Sequence, residues 1–236
     1  MAFGQDRLAP RTPGAFGGVV SAAQRNRVLR NTYWLLALSM VPTVLGAWIG
    51  VTTGFSFFAG SPFMGLIAFL AIAFGFFFAI ERFKNSGIGV ALLLGFTFFM
   101  GLMLSRLIGA VLGMSNGASL IMTAFGGTAG VFAVMATVAT VSKRDFTGMG
   151  KWLFMGFLVI FFAAIANIWL QMPALTLTVS ALAILIFSAF ILVDLQRIVQ
   201  GGETNYVTAT LSIYLSVYNV FSNLLMMLGI FGGNDD

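Results

Sequence analysis

A carboxylate inside an apolar stretch is the first feature of this sequence that could do chemistry. Asp194 directly follows the run "AILIFSAFILV" (183–193), and Arg197 stands three residues later. On a helix that spacing brings the two side chains together, one turn apart. Two interpretations stay open: an ion pair at a helix end, or an acid that binds a proton or a cation inside the protein.

A row of hydroxyls and amides is the second such feature. It runs through "YVTATLSIYLSVYNVFSNLLMMLG" (206–229). Its members recur every three or four residues, which places them on one face of a helix. Such a face avoids lipid, so it is expected to face protein or water, either as hydrogen-bonding contacts between helices or as the lining of a pore. The residues are Thr208, Ser212, Ser216, Asn219 and Asn223.

Several kinds of site are excluded by residue type. The chain has no Cys and no His, so it lacks the side chains for disulfides, for zinc or haem sites with sulfur or nitrogen ligands, and for Ser–His or Cys–His catalysis. Aspartyl proteolysis needs two acids that share a site, and Asp194 stands alone. We therefore expect no catalytic residues, no cofactor, no firm metal site and no enzymatic activity.

The composition indicates that most of this protein lies in lipid rather than in water. Of its 236 residues, 59% are hydrophobic and only 8% are charged, and the mean hydropathy is +1.01. A soluble domain is about a quarter charged. The sequence therefore predicts an all-α polytopic membrane protein whose main partner is the lipid bilayer. The net charge of +5 reports topology rather than affinity for nucleic acid.

Seven stretches are long and apolar enough to cross a bilayer, which takes about 20 residues. Residues 1–28 precede them and are predicted to form a flexible cytoplasmic tail, whereas 29–236 form one transmembrane domain. The predicted spans are Thr32–Thr53, Phe63–Ile80, Ile88–Leu112, Ala118–Val141, Trp152–Leu170, Ala174–Val193 and Val207–Phe231.

The basic residues test this count of spans. With seven spans, eleven of the twelve Lys and Arg residues fall on one side, which the positive-inside rule makes cytoplasmic. This predicts a cytoplasmic N-terminus and a periplasmic C-terminus. The eleven are Arg7, Arg11, Arg25, Arg27, Arg30, Arg82, Lys84, Lys143, Arg144, Lys151 and Arg197.

Two arginines lie close to the ends of predicted spans. Arg82 lies at the inner edge of the second span, where it is interfacial. Arg106 is the twelfth basic residue and lies near the outer end of the third span. Its charge either extends to the outer interface or serves a polar cavity.

Four stretches carry a family resemblance. They are "VLRNTYWLLALS" (28–39), "FGGTAGVFAVMATVAT" (125–140), "ANIWLQMPALTLTVSALAIL" (166–185) and "GGETNYVTATLSIYLSVYNVFSNLLMMLG" (201–229). On these residues the chain resembles the transmembrane Bax inhibitor motif family, and within it the bacterial YccA branch. The likeness covers nearly all of the chain after residue 27.

The resemblance implies a fold and two possible functions. The fold would be six helices around a polar central seventh. The YccA branch implies a protein of the bacterial inner membrane that binds and modulates the membrane-anchored ATP-dependent protease FtsH. Other branches imply a pH-sensitive leak for calcium or other cations through a pair of aspartates, one on helix six and one on helix seven.

The aspartate pair is incomplete in this chain. Asp194 matches the aspartate of helix six, but Ser216 stands where helix seven would carry the second. A single acid beside hydroxyls makes a weak calcium site, because Ca²⁺ takes six to eight oxygens and usually several carboxylates. Asp194 with Ser216 is the candidate cation or proton site, and the wider set of candidate functional residues adds Arg197, Ser212, Asn219, Arg82 and Arg106.

Overall fold

Seven helices make up the computed structural model, which describes residues 21–55, 57 and 62–232. All seven are long and apolar enough to cross a membrane, so the prediction of seven helical spans is confirmed. A short 3-10 turn, Thr147–Met149, precedes the fifth helix. The helices are α1 (Ala22–Thr53), α2 (Pro62–Phe83), α3 (Gly87–Leu112), α4 (Gly117–Val141), α5 (Gly150–Leu170), α6 (Pro173–Gln200) and α7 (Tyr206–Gly232).

Helix α1 begins earlier than predicted. Ser21 caps its N-terminus by accepting a hydrogen bond from the Gln24 N–H at 3.2 Å. Residues 22–28 are therefore helical, although the sequence assigned them to the flexible tail. Hydropathy misses this first part of α1 because its arginines are polar, whereas a capped helix tolerates them well. Residues 1–20 of the predicted tail lie outside the described residues.

Helix α6 continues past its apolar run. It ends at Gly201, whose left-handed φ of 82° lets its N–H reach the carbonyls of Arg197 and Ile198. Glycine adopts this conformation without the steric cost that other residues meet. As a result Asp194 and Arg197 lie within α6 rather than beyond its end.

The helix ends form two groups, because consecutive helices run in opposite directions. We call one group the basic end: it holds the start of α1 and the α2–α3, α4–α5 and α6–α7 connections, with every described Lys and Arg except Arg106. The opposite group is the far end.

Close approach of backbones holds α1 against α3, the most extensive helix pair of the bundle. A Cβ added at Gly46 would collide with the Phe98 carbonyl oxygen, and one at Gly101 would collide with that of Thr43. The two glycines therefore let the helices touch backbone to backbone, which is a common way to pack helices in membranes.

Helix α7 contacts five of the other helices in the described bundle. It packs against α6, α4, α1, α3 and α2, whereas α5 packs on α6. No side chain between Tyr206 and Ile230 is exposed. The full arrangement of six helices around α7 that the resemblance implies stays a prediction.

The outer surface of the bundle is apolar. Large side chains such as Trp34, Phe78, Trp152 and Val159 are at least 70% exposed. In water such a surface would drive association, but acyl chains solvate it without cost. The protein is therefore a multi-pass membrane protein.

Candidate functional site

Asp194 lies in α6, near the basic end. Its side chain is only 14% exposed, and its Oδ1 lies 3.9 Å from Nη1 of Arg197, whose side chain is 50% exposed. This separation is longer than a hydrogen bond. The two charges are therefore loosely paired.

Ser216 is not part of that pair. It is buried in α7, and its Oγ donates to the carbonyl of Ser212 at 3.2 Å. No hydrogen bond joins it to Asp194 among the described residues. Counted at 1.5 Å per residue from the basic ends of their helices, Asp194 lies about 9 Å deep and Ser216 about 15 Å deep. The structure thus does not join them into one site.

The predicted polar face of α7 is enclosed, as expected, but its groups bond within their own helix. The side-chain amides of Asn219 and Asn223 donate to the carbonyls of Leu215 and Asn219, each at 2.8 Å. Such local bonds satisfy a polar side chain without joining two helices. Thr208 differs, because its buried Oγ1 has no hydrogen-bond partner among the residues that the structure describes.

A second polar face of α7 makes the contacts between helices. Tyr214 Oη lies 2.8 Å from Thr43 Oγ1 on α1 and 3.4 Å from the Thr97 carbonyl on α3. Tyr218 Oη donates to the Met100 carbonyl of α3 at 3.2 Å. The sequence carried a signal for this face, since these tyrosines are four residues apart, in register with Thr210.

Gln196 fastens the α4–α5 connection to α6. Its buried side chain accepts a hydrogen bond from the Phe146 N–H and donates one to the Arg144 carbonyl, both at 2.6 Å. The two ends of one amide thus satisfy a backbone donor and a backbone acceptor of the same loop. Nothing in the sequence pointed to this residue.

Asp145 orders the same connection. Its Oδ1 accepts hydrogen bonds from Thr147 Oγ1 at 2.7 Å and from the Thr147 N–H at 2.8 Å. These bonds hold the pKa of Asp145 below its ordinary value, because they stabilise the charged form. A longer contact from Gln200, at 3.4 Å, links Asp145 to the end of α6.

Asn205 joins the α6–α7 connection to the α2–α3 connection. Its Oδ1 accepts from the N–H groups of Val207 and Thr208, capping α7. Its Nδ2 donates to the Lys84 carbonyl at 3.2 Å and to Asn85 Oδ1 at 2.8 Å. One side chain therefore starts α7 and anchors it to a neighbouring loop.

Helix α1 is tied to the same end of the bundle. Arg25 Nη1 donates to the Val199 carbonyl near the end of α6, at 3.0 Å. Together with Gln196 and Asn205, this contact fixes all the described connections at the basic end to one another. We call these three residues the basic-end clamp.

The remaining candidates make no hydrogen bond or ion pair with Asp194 in the part of the chain that the structure describes. Arg82 is exposed in the last turn of α2, where its neighbours Glu81 and Lys84 form an exposed ion pair. Arg106 is exposed on α3, towards the far end. Ser212 and Asn219 are half-buried in α7. The described residues contain no group of three or more Asp, Glu, Cys or His side chains that could hold a metal ion.

Comparison with known proteins shows the lineage of the chain. The family model described as "Inhibitor of apoptosis-promoting Bax1" matches residues 25–233. An uncharacterized membrane protein of Vibrio cholerae is 37% identical over 212 residues, which cover 90% of this chain and 93% of that protein. An uncharacterized protein of Neisseria meningitidis is 36% identical over 213 residues, 89% of this chain and 94% of that one.

A third relative carries a functional name. The Modulator of FtsH protease YccA of Escherichia coli is 37% identical over 209 residues, which cover 89% of this chain and 92% of YccA. The same relative in another strain is named an inner membrane protein. These similarities extend over the whole described bundle, and the chain therefore belongs to the Bax inhibitor-1 family and is homologous to Escherichia coli YccA.

Proposed function

We propose that this protein modulates an FtsH-type membrane protease. The observation that carries the proposal is the 37% identity to the Modulator of FtsH protease YccA over 92% of that protein's length. The match also covers 89% of this chain, so it extends well beyond a shared motif.

The orientation follows from the charges. We place the basic end in the cytoplasm and the far end in the periplasm, because Lys and Arg collect on the cytoplasmic side of inner-membrane proteins. Reporter fusions after residue 115 and at the C-terminus test this: both sites should report a periplasmic location. A cytoplasmic signal at either site contradicts the orientation.

The fixed basic end supports a role as a partner that resists extraction. A protease that pulls on membrane proteins must loosen helices from their neighbours, and local stability decides where loosening begins. Here the basic-end clamp ties α1, α6 and the connecting loops together, and glycines lock α1 onto α3. Such a bundle would occupy the protease for longer than a loosely packed substrate does.

The N-terminal segment would be the point of engagement. An ATP-driven protease needs a chain end that it can grip before it pulls. We assign this role to residues 1–20, which precede the Ser21 cap of α1. Binding itself would involve the lipid-facing surfaces of the helices.

A cation leak centred on Asp194 is the second candidate function. It is favoured by the loose pairing of Asp194 with Arg197, and by the unpartnered buried hydroxyl of Thr208. The arginine counts against it, because a fixed positive charge at 3.9 Å repels an approaching cation.

Two measurements on the same purified protein separate the candidates. Co-purification with FtsH from membranes should succeed for the wild-type chain and for Asp194→Asn alike. Liposomes that contain the protein should show no calcium or proton flux above that of empty liposomes. Two results together would favour the leak over protease modulation: a pH-dependent flux that Asp194→Asn abolishes, and no recovery of FtsH with the protein.

A further inference from the structure

Helices α1 and α3 are in close contact in the middle of the bundle but leave a groove between them towards the far end. The groove has a volume of about 290 Å³. Three of its lining residues are glycines: the Ser105 side chain packs against Gly50, whereas the space beside Gly54 and Gly109 is open. It is lined by Gly50, Val51, Gly54, Phe55, Ser105, Arg106 and Gly109.

Arg106 is the one cationic residue among those that line this groove. It stands six residues before the end of α3 at Leu112, or about 9 Å along the helix axis. It is exposed, and no hydrogen bond or ion pair joins it to any residue that the structure describes. A guanidinium at this depth is stabilised when an anion shares the site.

The described part of the protein offers no such anion at the far end. The described carboxylates, those of Glu81, Asp145, Asp194 and Glu203, all belong to the basic end. Asp235 and Asp236 follow α7 in the sequence and lie outside the described residues. We therefore look for the counter-charge in the surroundings of the bundle. In a bilayer, the anions at this depth are the phosphates of lipid headgroups.

We propose that the α1–α3 groove binds the headgroup of an anionic phospholipid, with Arg106 paired to its phosphate. The planar guanidinium can donate two parallel hydrogen bonds to phosphate oxygens. The open space beside Gly54 and Gly109 lets the glycerol part of the headgroup approach the helix backbones. The ammonium group of phosphatidylethanolamine would lie close to the Arg106 guanidinium and be repelled by it, which favours phosphatidylglycerol.

The groove can be filled without disturbing the fold. A Cβ added at Gly109 would meet only Val51 Cγ2, at 3.9 Å, so Gly109→Leu occupies the groove and leaves the Arg106 charge in place. Gly126, on α4, supplies a matched control, because it is exposed and an added Cβ there meets nothing within 4 Å.

The test uses the full chain in nanodiscs that contain phosphatidylglycerol with a photoreactive group near the headgroup. Labelled positions are mapped by digestion and mass spectrometry. The wild-type chain should be labelled at 50–55 and 105–109. Arg106→Gln should lower that labelling about tenfold, which corresponds to about 1.4 kcal/mol of binding, while labelling at the basic end stays constant. Gly109→Leu should lower it similarly, and Gly126→Leu should not.

Additional controls in the labelling experiment identify the ligand and check that each variant is folded. Excess inorganic phosphate should not reduce labelling of the groove, because the site takes a lipid and not the free anion. A photoreactive phosphatidylethanolamine should label the groove much less. Each variant should elute as the wild type does in detergent. Unchanged groove labelling in both Arg106→Gln and Gly109→Leu, or equal labelling by the two lipids, overturns the proposal.

Discussion

The phenol of Tyr214 on α7 lies 2.8 Å from the hydroxyl of Thr43 on α1, deep inside the bundle. Both side chains are buried. Thr43 Oγ1 also donates a hydrogen bond to the Ser39 carbonyl at 2.8 Å. The pair therefore links two helices at a depth where no water competes for the bond.

Removing this bond should cost a modest amount of stability. Hydrogen bonds between membrane helices average about 0.6 kcal/mol in double-mutant cycles. We expect a coupling free energy of about that size between Tyr214→Phe and Thr43→Val, measured by unfolding in detergent. Tyr33→Phe serves as the control, because Tyr33 packs on Phe132 by its ring. If the effects of the two substitutions on the unfolding free energy are strictly additive, the hydrogen bond between Tyr214 and Thr43 contributes no coupling free energy.

The Gln196 amide should matter more, because it serves two backbone groups at once. Gln196→Met keeps the length of the side chain but leaves the Phe146 N–H and the Arg144 carbonyl without their partner. Arg144 is exposed and Phe146 is half-buried, so water can partly replace the lost bonds, and a typical hydrogen bond contributes about 0.5–1.5 kcal/mol net. We therefore expect a loss of about 1 kcal/mol in unfolding free energy. Trypsin should then cleave after Arg144 more rapidly.

Gln200→Met is the matched control for that substitution. Gln200 is exposed, and its contact with Asp145 is long, at 3.4 Å. Its replacement should leave both the unfolding free energy and the cleavage rate close to those of the wild type. Equal effects at the two positions would argue against a special role for Gln196.

The order of the α4–α5 connection should depend on pH through Asp145. Thr147 lowers the pKa of this carboxyl group, so its contribution is complete above the ordinary carboxyl pKa and is lost as the pH falls through the lowered pKa. Hydrogen exchange of residues 142–150, corrected for intrinsic rates, should increase in that acidic range. Asp145→Asn should remove this dependence. A wild-type profile that stays flat on acidification would contradict it.

Hydropathy and charge were enough to predict the helices, because each span is a long apolar run bounded by polar or Gly- and Pro-containing breaks. The start of α1 was the main error. Three arginines, Arg25, Arg27 and Arg30, conceal its first turns from any hydropathy scale, and the decisive feature is the single hydrogen bond made by Ser21.

The contacts of the candidate site were harder to predict. Gln196 meets Phe146 across 50 residues of sequence, and the contact exists only once α5 has docked on α6. The sequence shows Tyr214 as a polar residue of α7. Its partners lie on α1 and α3, and the periodicity of a single helix cannot predict contacts with other helices. Asp194 lies in α6 near the basic end, whereas its association with Ser216 stays a prediction that the geometry does not favour.

The N-terminal segment offers a test of engagement by the protease. A chain that lacks residues 2–20 keeps the Ser21 cap and the arginines that orient α1, so it should insert and fold normally. Its turnover should be slower than that of the full chain in cells that contain FtsH, because the protease has less to grip. In cells without FtsH the two half-lives should be equal. Equal half-lives in both strains would remove the segment from the mechanism.

Modulation itself is tested most directly by reconstitution. Purified FtsH and a membrane-protein substrate are placed in one bilayer, and the degradation rate of the substrate is measured as this protein is added. We predict a saturable fall in that rate, with no such fall when an unrelated seven-helix protein is added instead. A degradation rate that stays constant across the whole range would contradict the proposed function.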